Sequence, residues 1–278
     1  MLRKMFLCGA TIMCLLAVNA QSIKTPAPSP SQTIKQDFGI GSVELSYSRP
    51  ALRGRKVFGD LVPFGQVWRT GANQATTITF SDEVTVGGTK LPAGKYGLLT
   101  IPDRNEWTII LTKSLDVTSP AAYKQENDAV RLKARPTMLS TPVENLTMQF
   151  ANIKPSSAEL QMMWDNISVS LPFSTDVDTK IMAQINSAMN NDNRPYFQSA
   201  MYYLESGKDL NQAITWFDKA IEQQPNAFWV HHQRANALAK LGRKQDARQA
   251  AQKSMDLAKQ QNNSDYVRLN ERLLADLK

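Results

Sequence analysis

At Pro172 the spacing of apolar residues along the chain changes. Upstream, from about Ile34 to Phe173, apolar and polar side chains alternate: Val43, Leu45 and Tyr47 with Glu44, Ser46 and Ser48, then Leu146, Met148 and Phe150 with Thr147 and Gln149. Alternation separates the two sets onto opposite faces of an extended strand. Downstream, Val177, Ile181, Ile185 and Ala188 recur every three or four residues, which is the spacing of one helix face, and helical patterns continue to Lys278. The two periods call for two structures, an antiparallel β-sandwich or barrel-like domain over 34–173 and an all-α domain over 174–278. With 278 residues, each half is long enough to bury a core of its own.

Turn signals divide the first half. Gly87-Gly88 separates Val84–Val86 from Thr89–Leu91, Pro92-Ala93-Gly94 precedes Lys95–Ile101, and Pro102-Asp103-Arg104-Asn105 precedes Trp107–Leu111. Further strands are expected at Thr76–Phe80, Ala129–Arg135, Ala158–Trp164 and Ile167–Leu171, giving about eight or nine short strands, with a short helix or loop at Ala121–Asn127. Ser174 or Thr175 is positioned to cap the first helix of the second half.

Ahead of both halves, Arg3 and Lys4 are followed by an apolar run from Met5 to Val18 and by Val18-Asn19-Ala20. That order predicts a secretory signal peptide over 1–20, hence export, to the periplasm or beyond it. The apolar run falls short of the roughly 20 residues of a membrane span, and no later run reaches that length. Residues 21–33, with "TPAPSPS" among them, read as a disordered Pro/Ser spacer. Cys8 and Cys14 are the only cysteines. Both lie in the expected signal, so no disulfide, thiolate metal site or cysteine nucleophile is expected beyond it. Loss of Arg3 and Lys4 lowers the formal charge from +7 to +5. So small an excess, thinly spread, does not make the dense basic face of a nucleic-acid binder.

The helical half repeats itself. Ala213, Phe217 and Ala220 are followed 34 residues later by Ala247, Ala251 and Ser254, and Gly207 and Gly242 sit in matching turns. "YYLESGKDLNQAITWFDKAIEQQP" and "NALAKLGRKQDARQAAQKS" resemble tetratricopeptide units over about Arg194 to Leu257, and that resemblance implies protein-protein interaction. His231 and Arg234 depart from the pattern, standing where an aromatic and a leucine are usual. Pro225 ends the second helix of the first unit, and a last helix over Asp265–Leu277 is expected to cap the stack.

In the β half, "SYSRPALRGRKVFGDLVPFGQVWRTGANQATTITF", "LPAGKYGLLTIP" and "EWTIILTK" are similar, in order and spacing, to the domain-of-unknown-function family 2911, common in exported bacterial proteins. The resemblance covers about Ile34 to Phe173 and implies no assigned reaction. Gln74 stands where the family more often has an acid.

Catalytic combinations are scarce. The only histidines, His231 and His232, are neighbours whose side chains leave a helix about 100° apart, without the spacing of a zinc site. The β half has neither histidine nor cysteine, which excludes Ser-His-Asp and Cys-His catalysis there. No catalytic residue, metal or cofactor is expected. A carboxylate-dependent hydrolase acting on a glycan or other envelope polymer is the alternative, with Asp60, Asp82, Glu83, Asp103, Glu106, Glu144 and Asp165 as its available acids.

Two groups of candidate binding residues remain. Arg49, Arg53, Arg55, Lys56 and Arg69 crowd one connection between strands and could converge on a small anionic ligand, with Trp68 and Phe64 as a stacking wall and Asn73 as a directional amide. The other reading has them internally paired, Arg69 with Asp60, and Trp68 in the core. On the helices, Trp229, His232, Asn236 and Lys240 are spaced 3, 4 and 4 apart and form one stripe. On the tetratricopeptide resemblance this is the concave surface, suited to a segment of another exported or envelope protein. The alternative is a buried Trp229. The chain is accordingly expected to be a binding or scaffolding protein.

Overall fold

The alternating sequences of the first half form ten strands among the residues described by the computed structural model, 25–278. The chain divides into two units between Thr175 and Asp176. The expected signal peptide lies outside the described residues.

In the first unit, β1 (Ser31–Phe38), β2 (Gly41–Ser48), β3 (Thr77–Phe80), β6 (Gly94–Ile101), β7 (Trp107–Thr112) and β8 (Asp128–Ala134) make a six-stranded sheet in the order β1-β2-β3-β6-β7-β8. A four-stranded sheet has the order β5-β4-β10-β9, from β4 (Val84–Val86), β5 (Thr89–Leu91), β9 (Thr137–Ala151) and β10 (Ser157–Ser174). All paired neighbours are antiparallel. The apolar members of each alternation turn inward, so Leu45, Ile78, Ile109 and Leu111 of the first sheet share one buried cluster with Leu146, Leu160, Leu171 and Phe173 of the second. That common core makes a sandwich and not a closed barrel. Its largest enclosed side chain is Trp164, 2% exposed.

The β4–β5 hairpin pairs Val86 with Thr89 and leaves Gly87 and Gly88 as its loop, at φ 56° and 82°. Both central positions of such a turn need positive φ, which glycine adopts without strain. The 3-10 turns at Pro120–Ala122 and Gln125–Asn127 occupy the stretch expected to be a short helix or loop.

Two strands differ from their sequence reading. β1 begins at Ser31, inside the stretch expected to be spacer. Its sequence SQTIKQDF has only Ile34 and Phe38 as apolar residues, so it shows little period of its own and is ordered by its ladder to β2. β10 is continuous over 18 residues, a length that would reach roughly 60 Å if straight. Yet the Thr175 backbone N–H donates to the Ser156 carbonyl at 2.9 Å. The strand therefore doubles back, at Asp165, where φ is 53° and the register shifts. The two strands expected on either side of Asp165 are the arms of that fold-back.

The second unit contains α1 (Val177–Ala188), α2 (Tyr196–Glu205), α3 (Leu210–Gln223), α4 (Phe228–Lys240), α5 (Lys244–Gln260) and α6 (Ser264–Asp276). The cap of α1 is Asp176, whose carboxylate accepts from the Thr179 N–H, and not Ser174 or Thr175. The Thr175 hydroxyl donates instead to the Glu83 carbonyl at 2.9 Å, as part of the first unit. Small residues at the repeat positions, Ala213, Ala247 and Ala251, are fully buried around Phe217 and let neighbouring helices approach closely. The two polar departures from the repeat are both accommodated. Arg234 donates to the Asp218 carboxylate at 2.6 Å. His231 is buried with its Nε2 2.9 Å from the Pro225 carbonyl, and burial pushes its pKa below the ordinary range. Among the described residues, no helix is long and apolar enough to cross a membrane.

Candidate functional site

The connection from β2 to β3 contains no regular ladder, so its backbone carbonyls need other donors. Arg55 and Arg69 supply some of these within the connection, while Arg49 and Arg53 tie it to neighbouring segments. Arg49 is half-buried and reaches β9, with Nε donating to the Leu146 carbonyl at 3.1 Å and Nη2 to the Thr147 hydroxyl at 2.9 Å. Arg55 folds onto its own turn, donating to the carbonyls of Leu52 at 3.0 Å and Ala51 at 2.8 Å. Arg53 donates from Nη2 to the Pro28 carbonyl at 3.1 Å, while its backbone N–H donates to the Glu144 carboxylate at 3.0 Å. The Asn73 side-chain amide donates to the Ser29 carbonyl at 3.1 Å. The basic connection thereby holds the segment just before β1, contacts that side-chain composition could not reveal because every residue carries a carbonyl.

Arg69 does not pair with Asp60. Its Nη1 donates to the Asn73 carbonyl at 3.1 Å, and Asp60 sits in the tight turn closed by the Val62 N–H on the Val57 carbonyl. Trp68 stacks on Trp164 with ring centroids 5.8 Å apart, meets Phe58 edge-on, and donates from its indole to the Gly71 carbonyl. The Arg104 guanidinium covers the Phe64 ring at 5.4 Å. Of the eight residues expected to gather on a ligand, Arg49, Arg53, Arg55 and Asn73 are thus directed to separate carbonyls, Phe64 lies under Arg104, and Arg69 and Trp68 share a cleft of about 160 Å³ with Leu61, Val67 and Pro120.

Several of the candidate acids have partners of their own. Glu83 pairs with Lys90 and Glu106 with Lys133, each at 3.3 Å, and Asp103 accepts from the Arg104 N–H at 2.6 Å. One acidic cluster was not signalled by the sequence. The Tyr123 hydroxyl donates to Asp128 Oδ2 at 2.6 Å, Arg131 Nε lies 3.2 Å from the same oxygen, and Asp128 Oδ1 is buried without a hydrogen-bond partner. Burial pushes the Asp128 carboxyl above its ordinary range, and burial together with that carboxylate pushes Tyr123 up to about 12. The cluster pins the 113–127 loop to the start of β8, a structural duty.

In the helical unit the expected stripe separates. His232 Nδ1 is 2.8 Å from Asn270 Oδ1; Asn270 Nδ2 donates to the Ser254 hydroxyl at 2.8 Å, and that hydroxyl donates to the Phe228 carbonyl at 2.7 Å. Since Asn270 spends its amide N–H groups on Ser254 and the Tyr266 carbonyl, its oxygen accepts and His232 carries the proton on Nδ1. This buried chain joins α4, α5 and α6. The Asn236 amide donates to Gln233 Oε1 at 3.0 Å, and Lys240 Nζ to the Leu204 carbonyl at 3.2 Å. Trp229 lines a cleft. That cleft, about 340 Å³, lies among the starts of α2 and α4 and the end of α3, with Arg194, Tyr196, Gln198, Gln223 and Gln224 on its other walls. Trp229 is half-buried, its ring edge-on to Phe228 at 5.0 Å.

A model of the family described as "Protein of unknown function (DUF2911)" matches residues 29–173, and a TPR-repeat model matches residues 203–242. No curated protein matches the chain.

Proposed function

We propose that this chain, which belongs to the DUF2911 family over just over half its length and carries a TPR repeat behind that domain, is an exported binding protein. Its helical half docks a segment of another exported or envelope protein at Trp229. The observation that carries this reading is the half-buried indole at the mouth of a 340 Å³ cleft. The amides of Gln198, Gln223 and Gln224 offer both donors and acceptors to an extended backbone, and the indole offers a flat apolar anchor. Export is supported by the order of charges, apolar run and small residues in Met1–Ala20.

Trp229→Ala should leave the helical content unchanged and remove one or more proteins from those recovered with the full chain from envelope extracts. An unchanged set of recovered proteins would count against the cleft.

A further inference from the structure

We propose that the cleft beside Arg69 in the β unit binds a small free carboxylic acid with a short apolar body. The cleft holds about 160 Å³, room for several water molecules. That suits a small molecule and is too little for a peptide or a glycan chain. Its walls are apolar at Leu61, Pro63, Val67 and Pro120, and Arg69 is the only cation among them.

Arg49 and Arg55 each donate from Nε and Nη2 to protein acceptors, and Arg53 donates from Nη2; Arg69 donates from neither. One of its N–H groups goes to the Asn73 carbonyl. Among the described residues, its Nε and Nη2 make no hydrogen bond to protein, and no carboxylate pairs with it. Those two groups form the edge of a guanidinium that matches a carboxylate in bidentate fashion.

The backbone that carries Arg69 is held firmly. The Trp68 N–H donates to the Thr100 carbonyl at 2.7 Å, and the Thr100 N–H returns to the Trp68 carbonyl at 3.0 Å. Thr70, fully buried, sits at φ 54°, a conformation that costs a β-branched residue energy. Its hydroxyl lies 3.0 Å from that of Thr100, and its carbonyl accepts from the Thr76 hydroxyl at 2.9 Å. The backbone beneath the guanidinium is thus ordered before a ligand arrives, and the Nη1 bond to the Asn73 carbonyl restrains the side chain itself.

The test is a titration of the full chain with benzoate and with benzamide, its uncharged counterpart, followed by nuclear magnetic resonance at the Trp68 indole N–H. Benzoate should give a saturable shift, and benzamide should bind at least about tenfold more weakly because the charge-assisted pair is lost. Both Arg69→Gln and Ser119→Trp, which places a large ring in the cleft from an exposed loop, should abolish the benzoate response. Should Arg69→Gln fail to fold, Ser119→Trp and the benzoate–benzamide ratio decide by themselves. Equal responses to the two ligands, or a benzoate shift that survives in folded variants, would overturn the assignment. So would displacement by inorganic phosphate at equal concentration, which would mean an anion site indifferent to the apolar walls. None of these readings depends on the Trp229 cleft.

Discussion

The irregular connection from β2 to β3 and the regular helices hold most of their cations differently. In the connection from β2 to β3, Arg49, Arg53 and Arg55 donate from their side chains to backbone carbonyls or a hydroxyl, and Arg69 to a carbonyl. In the helical unit Lys208, Lys219, Arg234, Arg243 and Arg268 all pair with carboxylates. Three of those pairs are spaced i, i+3 along one helix. A helix satisfies its interior carbonyls within itself and sets residues three apart side by side, so its cations find acids as neighbours. An irregular connection leaves carbonyls unmatched, and a guanidinium with five donors can take the place of the missing ladder. The arginines of the irregular connection are therefore scaffolding, whereas Lys219, Arg243 and Arg268 are exposed partners of acids three residues away.

Stability should follow that division. Arg49→Ala removes two bonds that tie the connection to β9 and should lower unfolding stability by about 2 kcal/mol, the range for hydrogen bonds to a charged group. Arg268→Ala loses only the exposed pair with Asp265 and should cost about 0.3–0.5 kcal/mol. Urea unfolding monitored by circular dichroism compares them. Equal costs would break the contrast.

A further comparison concerns two tyrosines, one in each unit. Tyr123 and Tyr202 both donate to an aspartate at 2.6 Å, and both are pushed up to about 12, chiefly by burial and then by that hydrogen bond. Their aspartates move in opposite directions. Burial raises Asp128, whereas Asp178, which lies open to solvent, is lowered by its hydrogen bonds to Lys208 and Tyr202. A phenol whose folded pKa exceeds its unfolded value near 10 holds its proton longer when folded. The stability it contributes is complete below about pH 10 and is lost as pH rises toward about 12. Burial also pushes Tyr47 and Tyr96 above the ordinary range, so the readout is a difference: tyrosinate absorbance should show one late-ionising phenol fewer in Tyr123→Phe than in the unsubstituted chain. An unchanged number in that variant would refute the assignment.

Much of the architecture was legible because it depends on period. Alternation about Val43–Tyr47 and Leu146–Phe150 gave strands, and the 34-residue spacing from Ala213 to Ala247 gave the repeat. β1 was hidden because only Ile34 and Phe38 mark its apolar face, and the cap at Asp176 was masked by two other good capping residues beside it. The candidate sites were less legible. Periodicity put Trp229, His232, Asn236 and Lys240 on one stripe, but it could not foresee that Asn270, 38 residues beyond His232, would take its ring into the core. Nor could composition show that Arg53 and Asn73 would be occupied by the carbonyls of Pro28 and Ser29. What the stripe and the basic connection did contain was Trp229 at one cleft and Trp68 with Arg69 at the other.

The most direct measurement is a titration of the full chain with an extended peptide selected against it, observed at the Trp229 indole N–H. A saturable shift at that resonance, with binding lost in folded Trp229→Ala protein, is the predicted result. A peptide that binds the chain equally well without the indole, leaving the resonance unmoved, would contradict the account.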